Sequence, residues 1–223
     1  MSTVTKMRLS KETFNILKNF AGINSNIMIQ PGNVIRTKSL GNNIYAEAKV
    51  TEDFDATIPL WDLNQFLGVI SMFNTPDLEF DETQVTISNG KSSITYHYAA
   101  ASLLNVATKA PRMGDANVVF DIGEQELYEV LKAASILQVD QLEIEADGDT
   151  VSISVLDSKQ NTKNSFKIDI PAITVNKATK GRINIAEMKL IPGAYTVELT
   201  DTVVSKFTHK TLDLFYNLAI QKG

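Results

Sequence analysis

Apolar positions along the chain alternate between stripes of helical spacing and short runs of strand spacing. Thr13, Ile16, Leu17, Phe20 and Asn24 recur three and four residues apart, and Ser10 stands where a cap belongs, so a helix is expected from there. At about 100° per residue, Lys11, Asn15, Lys18 and Gly22 fall on its opposite face. From Ile27 to Ile58, short segments rich in Ile, Val, Tyr and Thr are broken by turn signals at Pro31-Gly32, Gly41-Asn42 and Glu52-Asp53, which predicts strands joined by hairpins. A second helix follows Pro59, with Leu63, Phe66, Leu67, Ile70 and Phe73 on one stripe, and ends before Pro76. Strands are expected at 78–80, 84–88 and 93–98, with Asn89-Gly90 as a hairpin turn.

Residues 99–117 fit neither period and read as a connector. Beyond them a third helix is predicted over 124–137, with Leu127, Val130, Leu131, Ala134 and Leu137 on its apolar stripe and acidic residues in its first turn, where the helix dipole favours them. Strands at 141–146 and 151–156 flank a turn at Gly148-Asp149, and a further strand is expected at 165–170. A short fourth helix over 184–190 is stopped by Pro192-Gly193, and strands at 195–200, 205–208 and 212–220 close the chain. Both halves thus run helix, strands, helix, strands. The clearest internal match sets 58–63, with Leu67-Gly68 after it, against 183–188 and Pro192-Gly193. Hydrophobic patterning alone produces much of that match, so duplication and coincidence both stay open. The expected organisation is a domain over 1–104, a connector over 105–116 and a domain over 117–223.

Composition narrows the class. With 223 residues, 43% of them hydrophobic and 21% charged, the chain is not disordered or collagen-like. It has no cysteine, which excludes a disulfide scaffold, a thiolate metal site and a cysteine nucleophile, and points to a reducing compartment. No run approaches the ~18 apolar residues of a membrane span, and Met1 to Ser10 carry no apolar core of a signal peptide. The formal charge is 21 − 26 = −5, opposite in sign to the basic footprint of an ordinary DNA-binding module.

No catalytic centre emerges. Gly90-Lys91-Ser92 resembles the end of a phosphate loop, but Val85 stands where that motif needs glycine, and the triplet sits in a hairpin. Ser88 and Lys91 match a nucleophile-and-lysine spacing in that same hairpin. His97 lies on a strand and His209 near a turn, each without a local partner, and the acidic run Asp77, Glu79, Asp81 and Glu82 suits a solvated edge better than a calcium loop. What remains is surfaces. Helix one gathers Lys11, Asn15 and Lys18, preceded by Lys6 and Arg8, and a solvated face is the plain reading. Helix three presents Gln125, Glu129 and Lys132, with Ser135 at the margin. Lys177, Lys180, Arg182 and Lys189 form a denser cluster able to neutralise phosphates. Opposite the core stripe of helix two lie Trp61, Gln65, Gly68 and Met72, with Val69 beside them, so this helix is either a deep core helix or a subunit interface.

These residues also carry a resemblance. Leu9 to Thr13, Leu17 to Ala21, Ile23 to Ser25, Tyr45 to Ala48, Asp62 to Asn64 with Phe66 to Gly68, Leu137 to Asp140, and Met188-Lys189 with Pro192-Gly193 resemble, in order, the sliding clamps of T4-like bacteriophages. The resemblance implies an α+β DNA clamp fold: two similar domains, each with two inner helices backed by antiparallel sheets. Three subunits would close head to tail as a homotrimeric ring around duplex DNA. Twelve helices, each about 10 Å wide, would line an inner circumference near ~120 Å.

The resemblance also implies partners: a DNA polymerase tethered through a short tail, an ATP-driven clamp loader, and late-transcription factors. It implies no cofactor, no metal, no catalysis, no membrane, and work in the cytoplasm of the infected bacterial host. Arg8, Lys11, Asn15, Lys18, Lys132, Ser135, Lys177, Lys180, Arg182 and Lys189 are then the expected DNA-facing residues. Ser135 departs from the second basic residue that the family's third helix carries there. Trp61, Val69, Met72 and Phe73 are the expected subunit interface. Leu103, Leu104, Val106 and Met113 are expected to form a partner-peptide pocket under the connector, unless they belong to a merely flexible linker. A trimeric viral structural protein of capsid or tail, with duplicated β-rich domains, is the alternative. The four helices alone tally 4 − 6 = −2. Adding Lys6, Arg8, Lys177, Lys180 and Arg182 gives +3, so the acidity is expected to be segregated, with a modestly positive lining inside an acidic shell.

Overall fold

In the computed structural model, which describes residues 5–159, 163–200 and 203–222, the first helix begins where its cap stands. Ser10 is extended, and its hydroxyl accepts the Thr13 N–H at 3.1 Å to start α1 (Lys11–Ile23), after β1 (Thr5–Met7). The predicted stripe is the buried one: Thr13, Ile16, Leu17, Phe20 and Asn24 are all enclosed. The described residues form two compact units, one reaching Leu40 and including Tyr45–Ala110, the other comprising Gly41–Ile44 and the residues from Pro111 on. The outer bounds of the expected domains, Met1 and Gly223, lie outside the described residues.

In the first unit, β2 (Ile27–Ile29), β3 (Gly32–Lys38), β4 (Ile44–Phe54) and β5 (Ile58–Leu60) precede α2 (Leu63–Ser71), which Asp62 caps by accepting the Gln65 N–H at 3.0 Å. Then come β6 (Asp77–Phe80), β7 (Gln84–Ser88) and β8 (Ser93–His97). The antiparallel order is β1-β6-β7-β8, with β3 paired to β4 and β2 to β5. The helix α1 packs on α2 and β3. Glu52-Asp53 is not the expected turn: β4 runs straight through it, alternating buried and exposed, because the Glu52 side chain finds partners inside. Phe73 falls beyond the end of α2, whose C-cap is Met72.

The second unit contains β9 (Ala116–Ile122), α3 (Glu124–Leu137), β10 (Gln141–Asp147), β11 (Thr150–Leu156), β12 (Phe166–Val175) and β13 (Thr179–Asn184), then β14 (Tyr195–Thr200), β15 (Val204–His209), β16 (Leu214–Ala219) and β17 (Gln221–Lys222). Its strands run β17-β13-β10-β11-β12-β9-β14-β15-β16. This plan repeats the first unit: β9-β14-β15-β16 answers β1-β6-β7-β8, β10 with β13 answers β2 with β5, and β11 with β12 answers β3 with β4. The Gly148 turn is as expected, with Asp147 opposite Thr150 and Gly148 at φ +61°.

One element differs. Where a fourth α-helix was expected over 184–190, the chain makes a single 3-10 turn, Ile185–Glu187. Asn184 does cap it, accepting the Ala186 N–H at 2.9 Å. Pro192 then biases Ile191 toward extended backbone, leaving too few residues for a helix to propagate. The strands β1, β9, β13 and β17 were not anticipated.

Candidate nucleic-acid interface

On α1, the buried stripe turns Lys11, Asn15 and Lys18 outward on one exposed face. Neither lysine makes an ion pair among the described residues. The start of this helix is tied to the sheet. From β4, the Glu52 carboxylate accepts the backbone N–H of Ser10 through one oxygen and the Thr13 hydroxyl through the other, and Thr51 donates to it at 3.1 Å. Glu52 is only 9% exposed. Burial by itself pushes its carboxyl up, but these hydrogen bonds outweigh that and hold it below the usual carboxylate range.

On α3, Lys132 and Ser135 are exposed as expected, and the Lys132 ammonium sits 5.5 Å from the centre of the Tyr128 ring. The face is mixed, since Gln125 bonds Glu129 there at 2.8 Å, and Tyr128 and Ile136 stand exposed. This helix starts with a purely local device: the Glu126 carboxylate accepts the Gly123 N–H at 2.7 Å.

The other expected cations separate into different places. Lys180 and Arg182 lie on β13, in register with Glu145 and Glu143 of β10. Their side chains occupy the sheet face opposite the buried Gly181, Ile183, Leu142 and Ile144, and so opposite the face on which α3 packs. They are also paired: Lys180 reaches Glu143 at 3.0 Å and Glu145 at 3.2 Å, and Arg182 reaches Glu143 at 2.7 Å. Burial raises the Glu143 carboxyl, and the two cations more than reverse this, leaving it below its ordinary value. Both residues are therefore removed from the set that shares a face with Lys132. Arg8 is likewise engaged, 2.6 Å from Asp77, which also takes Lys6 at 3.1 Å. Lys177 is exposed in the bend between β12 and β13, and Lys189 is exposed just after the 3-10 turn instead of on a helix.

Of the expected interface residues, Trp61 and Met72 are 57% and 72% exposed, while Val69 and Phe73 are half-buried. Phe73 turns toward Leu9, Phe14 and Ile70 in a small cleft of its own unit. The helix α2 is thus a core helix on one side and an exposed apolar face on the other. It adjoins β8, because the Tyr96 hydroxyl donates to the Asp62 carbonyl at 3.1 Å and its ring packs edge-on against Phe66. In the first unit β8 has β7 on one side only, and in the second β12 is paired to β11 over Phe166 to Pro171 but to β9 only from Ala172 on. Among the described strands, β8 and the Phe166 to Pro171 stretch of β12 thus each keep one unpaired edge, as do the terminal strands β1, β3 and β17.

Along the connector, Leu103 is exposed, Leu104 and Val106 are half-buried, and the Met113 sulfur accepts from the Asn217 amide at 2.9 Å. The groove that lies beneath the connector, about 200 Å³, is lined instead by Ala107 and Thr108 with Met28, Gln30, Val34 and Arg36. None of the four expected pocket residues lines it. Bulk directed the expectation to Leu and Met, whereas the small Ala107 is what fits against the sheet.

Sequence reasoning also missed a clasp around the segment that replaces the fourth helix. Tyr195 donates to the Ile191 carbonyl, and the Tyr216 hydroxyl accepts the Ile191 N–H at 3.2 Å. His209 Nδ1 accepts the N–H groups of Thr211 and Leu212, so its Nε2 carries the hydrogen that points at the Pro192 carbonyl. The only sequence signal was a cluster of Tyr, His and Tyr on successive strands. The phosphate-loop look-alike is a plain hairpin, in which Gly90 takes φ +84° and Asn89 Oδ1 accepts the Lys91 and Ser92 N–H groups.

Residues 10–110 match the protein family described as DNA polymerase processivity factor. The chain is 32% identical over 208 residues to the sliding clamp of Enterobacteria phage T4, covering 86% of this chain and 87% of that one. It is 30% identical over 210 residues to the sliding clamp of Escherichia phage RB69, covering 90% and 92%. Among solved structures it is similar to A. fulgidus PCNA bound to the C-terminal region of FEN-1, with TM-score 0.75 and 13% identity over 99% of each chain, a likeness of fold. The α+β clamp architecture expected from the sequence is the one found, with the second helix of the second unit reduced to a turn.

Proposed function

The chain belongs to the sliding clamps of T4-like bacteriophages, which act as DNA polymerase processivity factors, and from that premise we propose that it works as a homotrimeric ring closed around duplex DNA. The observation that supports the ring is that β8 and the Phe166 to Pro171 stretch of β12 each keep an unpaired edge at corresponding places in the two units. Joining β8 of one subunit to the Phe166 to Pro171 stretch of β12 on the next would satisfy both edges at once. Such a contact is heterologous, and a rotation that closes turns it into a ring. Trp61, next to the Asp62 carbonyl that Tyr96 of β8 bonds, and Met72 at the other end of α2 would supply the apolar area that a strand pair alone lacks.

The DNA would then be held by topology. Lys11, Asn15 and Lys18 on α1 and Lys132 and Ser135 on α3 are its proposed lining, with Lys189 and Lys177 as further candidates. Contacts this sparse attract phosphates without regard to sequence and let the ring slide. A polymerase docked by a short tail stays at high effective concentration near the primer end, so each dissociation is followed by rapid rebinding. The solved relative carrying the C-terminal region of FEN-1 supports a peptide-docking mode, and the groove under Ala107 and Thr108 is its proposed seat.

The proposal includes loading by an ATP-driven clamp loader, a part in late transcription, no catalysis or cofactor of its own, and work in the cytoplasm of the infected bacterium. Primer extension on a primed circular template with the cognate polymerase, loader and ATP tests it. Products per polymerase binding event should lengthen when this protein is added. Unchanged lengths would contradict it.

A further inference from the structure

The helix that carries Lys11, Asn15 and Lys18 is started in a way that α3 is not. Both helices have a first-turn device, but that of α3 is internal, Glu126 to Gly123, whereas α1 is also gripped from β4, about forty residues away in sequence, by Glu52. A carboxylate enclosed to 9% exposure is costly unless its hydrogen bonds are good. A local cap would have served to begin the helix, as it does at Gly123. What a carboxylate from the sheet adds is direction: one oxygen on Ser10 N–H and the other on the Thr13 hydroxyl fix two successive points of the first turn. They thereby fix where Lys11, between them, projects.

We propose that Glu52 is a positioning residue for DNA contact, holding the first turn of α1 against β4 so that Lys11 reaches the phosphates. This rests on the reading above that α1 faces DNA. Asn15 and Lys18 lie one and two turns further along, where the helix is gripped by its own buried stripe, so the dependence on Glu52 should be confined to Lys11.

The test is the salt dependence of association between the assembled protein and a fluorescent linear duplex. Four proteins are compared: wild type, Lys11→Ala, Glu52→Gln and the double variant. Removing Lys11 should lower the slope of log K against log salt by roughly 0.9 for each of the ring's three copies that contacts a phosphate. Glu52→Gln should lower it by a similar amount, and the double variant should show no further loss. Thr13→Val, which keeps the carboxylate and removes one of its donors, should move the slope the same way and serves if the glutamine variant does not fold. If Lys11→Ala leaves the slope unchanged, the DNA-facing reading of α1 is wrong. If Lys11→Ala lowers it while Glu52→Gln and Thr13→Val do not, or if the losses add, Glu52 stabilises the subunit without positioning Lys11 and the inference is overturned.

Discussion

At the scale of single residues, the second unit depends on a contact with no spare room. A Cβ placed on Gly193 would stand 2.2 Å from Nε2 of His209, and the Gly193 backbone sits at φ +155°. The ring cannot give way, because the N–H groups of Thr211 and Leu212 fix one side and the Pro192 carbonyl the other. Gly193→Ala should therefore cost about 2 kcal/mol or more, as overpacking of a fixed site does. Thermal melting checks this, with a fall of several degrees expected. A second prediction concerns acid. Glu52 is held below its ordinary value, as are Asp77 by Arg8 and Lys6, and Asp121 by Lys210 and Thr196. A depressed carboxyl contributes stability that is present above its unfolded value and is lost as pH falls through the folded one. Melting temperature should thus hold near neutral pH and drop below about pH 4. Glu52→Gln, less stable at neutral pH, should show a shallower acid slope.

At the scale of elements, α1 and α3 were legible because a strong apolar period coincided with a start signal, Ser10 in one case and an acidic first turn in the other. The strand β13 was not legible. Thr-Lys-Gly-Arg-Ile-Asn has little strand character of its own and becomes a strand because β10 offers Glu143 and Glu145 opposite Arg182 and Lys180. Read without that partner, the same cations looked like a phosphate site. The fourth helix failed for the converse reason: its cap was real, but a cap begins a helix only where enough chain follows. The exposure of the candidate cations was therefore readable where they stood on helices, whereas the carboxylate partners of Lys180 and Arg182 were not, because they come from a neighbouring strand.

Two charge reversals separate these cases. Lys11→Glu with Lys18→Glu should leave stability within about 0.5 kcal/mol, since both are exposed, while retention on DNA falls. Lys180→Glu with Arg182→Glu should do the opposite, costing about 1–2 kcal/mol by leaving the enclosed Glu143 unpaired while DNA retention holds. Denaturant unfolding and a salt-titrated retention assay read the two effects. On α2, Trp61→Ala with Met72→Glu should leave the subunit's circular dichroism intact and shift its solution mass from trimer to monomer.

At the scale of the whole molecule, the charge of −5 has a different meaning from the tally made on sequence. Of the five flanking cations that turned the lining positive, Lys6, Arg8, Lys180 and Arg182 are all committed to carboxylates. On the proposed function, attraction for DNA is left to a few helix and loop lysines of each subunit, a salt-sensitive and sequence-independent term. The proposed ring would add to this a residence on DNA that comes from closure and not from grip. The most direct measurement loads the protein onto a nicked circular duplex, isolates the complex by gel filtration, and cuts the circle once. Encirclement predicts that the protein travels with the circle at moderate salt and is lost from the linear product as it slides off the ends. Protein that stays bound after the cut, or that never travels with the circle, would contradict it.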